Sequence, residues 1–276
     1  MIIGIDIGST ITKAVSVEAG VVTRQVKTKA MDAVTSAAGA FGKMLIENNI
    51  GMKDIERIMI TGAGAGKIPD TLFGISTENV GEITAIGIGG IFLSGRENII
   101  ISNVGTGTAI IEAHRNKIVH IGGSGVGGGT ILGLSKKLLG MSNFNEIMAL
   151  AESGNLATVD LLLGDIMNSD LSFLNKESTA SNFAKMLDSA ALADIALGIV
   201  NMVYQVIGML SVFAARSRNI DTVIVTGNGG NNPIGVRILQ IISEMYAIKF
   251  CHPDSAEYTT AIGAGLSGRN VQDIFL

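Results

Sequence analysis

Two short turns hold the residues best suited to chemistry. Asp6-Ile-Gly-Ser-Thr10 and Asn103-Val-Gly-Thr-Gly-Thr108 each mix glycine with hydroxyl residues at the end of an apolar run. Glycine leaves backbone N–H groups accessible and the hydroxyls add donors, which is the equipment of a loop that wraps an anion such as phosphate. A third glycine-rich stretch, Gly122-Gly-Ser-Gly-Val-Gly-Gly-Gly-Thr130, follows closely. Three such loops, each leaving a strand-like run, point to a divided nucleotide site. Asp6 closes the first strand and Lys13 lies on the next, so a carboxylate and an ammonium can seat a magnesium-bound triphosphate. The same residues also suit a capped hairpin turn with a lysine facing solvent.

Glu82 opens an apolar stretch of helical length, between two of the phosphate turns. It reads either as a residue compensating the helix dipole or as a base beside an acceptor hydroxyl. Thr61-Gly-Ala-Gly-Ala-Gly66 lacks the Gly-Lys-Ser/Thr ending of a P-loop, because Lys67 is followed by Ile68. It reads instead as a loop of small residues that another segment approaches closely. The regular apolar face after the 122–129 glycines puts them at a helix N-terminus, where amides and dipole favour an anion. His252 beside Cys251 has no companions at metal-ligand spacing.

The elements that must carry these residues follow from the apolar pattern. Strands are expected over 1–7, 11–18, 21–28 and 55–60, with an amphipathic helix over 31–47. This order implies an α/β arrangement with mixed strand directions, unlike a plain dinucleotide fold. A helix over 83–93, a strand over 98–102 and a hairpin of 109–114 with 117–121, turned at Arg115-Asn116, come next. Helical patterns are expected over 130–139, 143–152, 157–167, 178–187 and 190–216, the later ones forming an insertion between two halves of the sheet structure. A strand over 222–226, a helix from Pro233 to 245, a strand over 248–251 and a small-residue helix over 259–267 close the pattern.

At 276 residues the chain is long enough for two lobes with substantial cores. A net charge of -4 offers no footprint for nucleic acid and favours small metabolites as partners. The single cysteine excludes an internal disulfide and fits a cytoplasmic location, as does a start without a signal-peptide pattern. Residues 195–215 carry no formal charge and are long enough to cross a bilayer. Asn201, Tyr204, Gln205 and Ser211 are spread through that run, so a buried helix is the expectation rather than a membrane span.

With these residues in view, essentially the whole chain resembles the type II pantothenate kinases, a family of the acetate and sugar kinase, Hsp70 and actin superfamily. The likeness rests on Gly4-Ile-Asp-Ile-Gly-Ser-Thr10 with Lys13, on Asn103 to Thr108, on the glycine run with Gly133-Leu134, on Val159-Asp-Leu161 with Asp165-Ile166, on Ser178-Thr-Ala-Ser-Asn-Phe183, and on Ala261-Ile-Gly-Ala264. The first of these is shared across the superfamily. The second, the glycine run and the Ser178 segment are more specific.

The resemblance implies a bilobal ribonuclease H-like (actin-like ATPase) α/β fold, with two mixed sheets of the five-stranded type flanked by helices. The lobes are expected at 1–95 and 96–276. It implies phosphorylation of pantothenate by ATP with magnesium, giving 4'-phosphopantothenate in the first step of coenzyme A synthesis. Glu82 would be the general base. Asp6, Gly8, Ser9, Thr10 and Lys13 would form the first phosphate motif, with Asp6 holding Mg2+ directly or through water, and Gly105, Thr106 and Gly107 the second. Gly128, Gly129, Thr130, Ile131 and Leu132 match the run beside the nucleotide, Phe144 the aromatic against adenine, and Asn228 the adenosine loop. A homodimer joined through long helices, including 195–215, is also implied.

Two positions depart from the family. His120 stands where members carry an arginine before the glycine run, and an imidazole cannot make the bidentate grip of a guanidinium. His120, Arg115 and Thr108 are therefore the candidate contacts to substrate or migrating phosphoryl group. Asn228-Gly-Gly replaces a loop usually richer in serine. The departure at His120 leaves one other reading, a nucleotide-binding regulator or kinase homologue with a different acceptor, and the Asp6–Thr10 motif with Lys13 leaves another, against the single cysteine, an activator ATPase of a 2-hydroxyacyl-CoA dehydratase.

Overall fold

The computed structural model describes residues 1–114, 117–167 and 176–268. Arg115 and the turn expected at Arg115-Asn116 lie outside them. The first sheet opens with β1 (Ile2–Ile7), β2 (Ile11–Glu18) and β3 (Val21–Lys29), followed by α1 (Ala33–Asn48), β4 (Arg57–Thr61), β5 (Thr71–Leu72) and β6 (Ile75–Asn79). Its order is β3-β2-β1-β4-β6-β5, with β1, β4 and β6 parallel. Helix α2 (Glu82–Ser94) leads to β7 (Asn98–Val104), β8 (Thr108–His114), β9 (Lys117–Ser124), α3 (Gly128–Leu138), α4 (Phe144–Ala151), β10 (Leu161–Leu162), α5 (Leu163–Ile166), β11 (Thr179–Ser181), α6 (Leu192–Ser217), β12 (Thr222–Thr226), α7 (Pro233–Tyr246) and β13 (Lys249–Cys251). The second sheet runs β13-β12-β7-β8-β9. Helix α8 (Thr259–Ser267) ends the described chain.

Strand alternation sorts the layers. Ile3, Ile5 and Ile7 of β1 pack on α1, while Gly4 on the opposite face meets α8. In β7, Ile99 and Ile101 face α2, and Ile100 and Val104 face α6. The molecule is therefore layered as α1, first sheet, α8 with α2, second sheet, and the helices around α6. This is the expected bilobal α/β architecture. A boundary at residue 95 falls between α2 and β7, yet α8 crosses back to pack on β1, β2 and β4.

Several sequence expectations change. β6 was invisible because Ile75-Ser-Thr-Glu-Asn79 is mostly polar, and it forms by pairing with β4. Helices expected over 157–167 and 178–187 are replaced by a short turn, the one-turn α5 and the β10–β11 ribbon. The cause is Asp160, fully buried, whose carboxylate accepts from Thr179 Oγ1 (2.9 Å), Asn201 Nδ2 (2.9 Å), Asn182 Nδ2 (3.3 Å) and the Phe183 backbone N–H (2.9 Å). Satisfying one buried carboxylate with four donors overrides a short apolar period. Helix α6 is long and apolar enough to cross a membrane by length and composition. Its buried residues form the centre of the second core, with Tyr204 fully enclosed.

The helix pair α2–α8 fixes the spacing of the sheets. A Cβ on Gly263 would overlap the Ala85 carbonyl, and one on Gly89 would overlap the Thr259 carbonyl. Backbone thus rests on backbone, an approach only glycine permits. Gly263→Ala should cost about 2 kcal/mol or more through overpacking. Gly39→Ala, at an exposed position of α1 with open space around the new methyl, should instead gain about 0.5–1 kcal/mol. Urea denaturation of both variants checks the opposite signs, and equal effects would remove the close-contact account.

Candidate active site

Residues directly opposite on neighbouring strands project to the same face of a sheet. In the first sheet Thr61, Asp6, Lys13 and Lys27 form one such row across β4, β1, β2 and β3. It emerges at the N-terminal end of α8, where Thr260 shares a cavity with Asp6 and Lys13. Both charged groups are deeply enclosed, Asp6 at 9% and Lys13 at 4% exposure. Burial pushes the Asp6 carboxyl up to about 6, with Lys13 opposing the rise and Glu82 adding to it. Burial likewise holds the Lys13 ammonium below its ordinary range, against the pull of Asp6 and Glu257.

Across the cleft, the turn between β7 and β8 presents the second set of groups. Ser9 Oγ and Thr106 Oγ1 lie 2.9 Å apart and share a hydrogen bond between the two glycine-hydroxyl turns. The Gly105 N–H donates to Gly107 O at 2.8 Å, and Thr108 Oγ1 donates to Val126 O at 2.8 Å. Amides at the start of α3, expected to face an anion, are engaged elsewhere: Gly128 N–H reaches Gly105 O and Gly129 N–H reaches Thr106 O, each at 2.9 Å. The glycine run therefore braces the turn from behind. Thr130 Oγ1 accepts from the Gly127 N–H at 3.2 Å, Ile131 is buried in the second core and Leu132 packs against it.

A cavity of about 370 Å³ gathers Asp6, Gly8, Ser9, Thr10, Lys13, Glu82, Gly105, Thr106, Gly107, Thr108 and Asn228. A second cavity, about 320 Å³, is lined by Phe144, Met148, Asn231, Asp254 and Glu257, and shares Gly227 and Asn228 with the first. The two have the dimensions and continuity of a divided pocket, one end rich in phosphate-type donors and the other containing an aromatic ring. The connecting loop is held on several sides. Gly227 has φ +81, and its N–H donates to Ala256 O at 2.9 Å. Gly229 N–H reaches Val104 O at 3.0 Å, while the buried Tyr204 hydroxyl donates to Gly229 O at 2.8 Å.

Of the candidate residues, His120 stands apart: it is exposed on β9 and is not among the cavity-lining residues. It shares a sheet face with Ile118, two residues before it, and Ile118 packs on α2 at Gly87. Hence it lies on the α2 side of the second sheet's edge. Sequence reasoning missed Thr260, Asp254 and Glu257. Their only signal was position around Pro253 and at the head of the last helix, and their role depends on α8 folding back.

Asp6 carries a testable linkage. Its folded pKa lies above the unfolded value, so the folded state holds the proton more tightly and stability falls as pH rises from about 4 to 7. Relative to Asp6→Asn, the native protein should lose on the order of 2–3 kcal/mol across that window, measured by urea denaturation at several pH values. A pH-independent difference would mean that Asp6 is solvated.

Comparison with known proteins bears on the family and the fold. The Fumble family model matches residues 97–266. The type II pantothenate kinase of Bacillus cereus (strain ATCC 10987 / NRS 248) is 34% identical over 192 residues, covering 66% of this chain and 68% of that protein. Among solved structures, the activator of the 2-hydroxyisocaproyl-CoA dehydratase from Clostridium difficile with bound ADPNP aligns at TM-score 0.69 and 19% identity, over 96% of this chain and 92% of that one. A ROK family glucokinase from Streptomyces griseus in complex with glucose and AMPPNP aligns at TM-score 0.62 and 13% identity, over 95% and 97%. At such identities the two structures speak for the fold alone, whereas the sequence relative and the family model speak for descent. The chain belongs to the type II pantothenate kinase family.

Proposed function

We propose that this protein transfers the γ-phosphoryl group of ATP to the primary hydroxyl of pantothenate, giving ADP and 4'-phosphopantothenate. The observation that carries the reading is Glu82. It is the first residue of α2, it lines the same cavity as Asp6, Lys13 and the two phosphate turns, and its charge is felt at Asp6. A carboxylate there can accept the hydroxyl proton as the oxygen attacks phosphorus. Lys13 would offset phosphate charge, and Ser9, Thr106 and the amides of their turns would orient the terminal phosphate. The second cavity suits adenosine, with Phe144 against the base and Asn228 between base and phosphates.

Among the described residues no cluster of three His, Cys, Asp or Glu forms a metal cage. That suits a magnesium ion held by Asp6 together with phosphate oxygens and water. When bound, the ion would neutralise developing charge on the phosphates. We further propose that His120, Arg115 and Thr108 serve the acceptor side. A cytoplasmic homodimer is part of the same reading. Phe213 of α6 (60% exposed) and Ile241 of α7 (53%) leave apolar groups on the outer helices that a second copy would cover.

Purified protein with Mg2+, ATP and pantothenate should form ADP and phosphopantothenate, and Glu82→Gln should lower kcat by about 10²–10⁴-fold. The missing family arginine favours one second reading, a homologue with another acceptor or a purely nucleotide-binding role. Nucleotide binding without turnover of pantothenate, pantetheine or amino sugars would establish it in place of the first. The dehydratase-activator reading has the Asp6–Thr10 motif and fold similarity behind it, but the single Cys251 cannot supply paired cluster ligands.

A further inference from the structure

Two side chains of β3, the outer strand of the first sheet, reach the loop between β13 and α8. Lys27 Nζ lies 3.0 and 2.9 Å from the two carboxylate oxygens of Glu257, and Gln25 Nε2 donates to Ser255 Oγ at 3.1 Å. That loop is in turn bound to the segment that shapes the second cavity. Asn231 Nδ2 donates to the carbonyls of Pro253 (2.8 Å) and Asp254 (3.2 Å), and His252 Nδ1 donates to Gly230 O at 2.7 Å. Glu257 and Asp254 line the cavity wall, whereas Lys27 and Gln25 line neither cavity.

Charge gives the contact its direction. Lys27 is the cross-strand neighbour of Lys13, and Glu257 acts electrostatically on both lysines. With Lys27 in place, the Glu257 carboxylate is paired toward β3 at the wall of the second cavity. Removing the Lys27 ammonium would leave that carboxylate without this partner at the cavity wall, with Lys13 the other lysine on which it acts.

We propose that Lys27, supported by Gln25, is a positioning residue for the nucleotide: it clasps the loop that walls the adenosine cavity to the strand row that carries the phosphate site. The proposal rests on the nucleotide-site reading above. The pair is half-exposed, so a modest effect is expected.

Isothermal titration of wild type, Lys27→Met, Lys27→Arg, Gln25→Ala and the double variant Lys27→Met/Glu257→Gln with Mg2+ and a non-hydrolysable ATP analogue, at low ionic strength, tests it. Lys27→Met should raise Kd about three- to five-fold, Lys27→Arg should retain wild-type affinity, and the double variant should bind better than Lys27→Met alone. In steady state the KM for ATP should rise by the same factor, with kcat and the acceptor KM unchanged. An unchanged Kd in both Lys27→Met and Gln25→Ala, each with a wild-type melting curve, overturns the clasp while the nucleotide site stands. A wild type that binds no nucleotide overturns the functional reading as well.

Discussion

The geometry of this molecule depends on one contact made almost without side chains, the crossing of α2 and α8 at Gly89 and Gly263. Because each glycine faces the other helix's carbonyl, van der Waals radii set the separation, and no rotamer can adjust it. Each helix also delivers a residue to the cleft. Glu82 starts α2 and Thr260 sits in the first turn of α8, and both line the cavity containing Asp6 and Lys13. The distance across the site is thus inherited from a backbone contact several residues away.

Two buried carboxylates show how the same chain handles charge for different ends. Asp160 is surrounded by four donors and serves to fold the insertion against α6. Asp6 is enclosed beside a lysine and near a second carboxylate, and burial dominates its raised pKa. Leaving a group in that condition lowers stability, and such arrangements concentrate where a ligand will supply the missing charge.

Most strands of both sheets were legible because runs such as Ile2 to Ile7 and Ile99 to Ile101 are rich in buried isoleucine, whereas β5 and the polar β6 at the edge of the first sheet were not. Helix α6 was legible from length alone. The two glycine-hydroxyl turns were legible as motifs, and the structure brings both to the lining of one cavity. What stayed hidden depended on distant partners. The residues 157–167 and 178–187 keep an apolar helical rhythm, but Asp160 collects donors from 19 to 41 residues away, including Asn182 and Asn201. The α3 amides look free for an anion until the β7–β8 turn is seen to occupy them. Glu257 has no motif around it, and only the return of α8 to the first sheet brings it to a cavity wall.

The hydrogen bond between Ser9 and Thr106 has a thermodynamic consequence. The two turns already touch across the cleft, so part of the ordering that a shared ligand would require is in place before it arrives. In the proposed function, an entering phosphate would exchange one neutral hydroxyl pair for shorter, charge-assisted contacts to the same oxygens and neighbouring amides. Association at this end of the pocket should accordingly be driven by heat release, with an entropy term set by displaced water rather than by the ordering of loops.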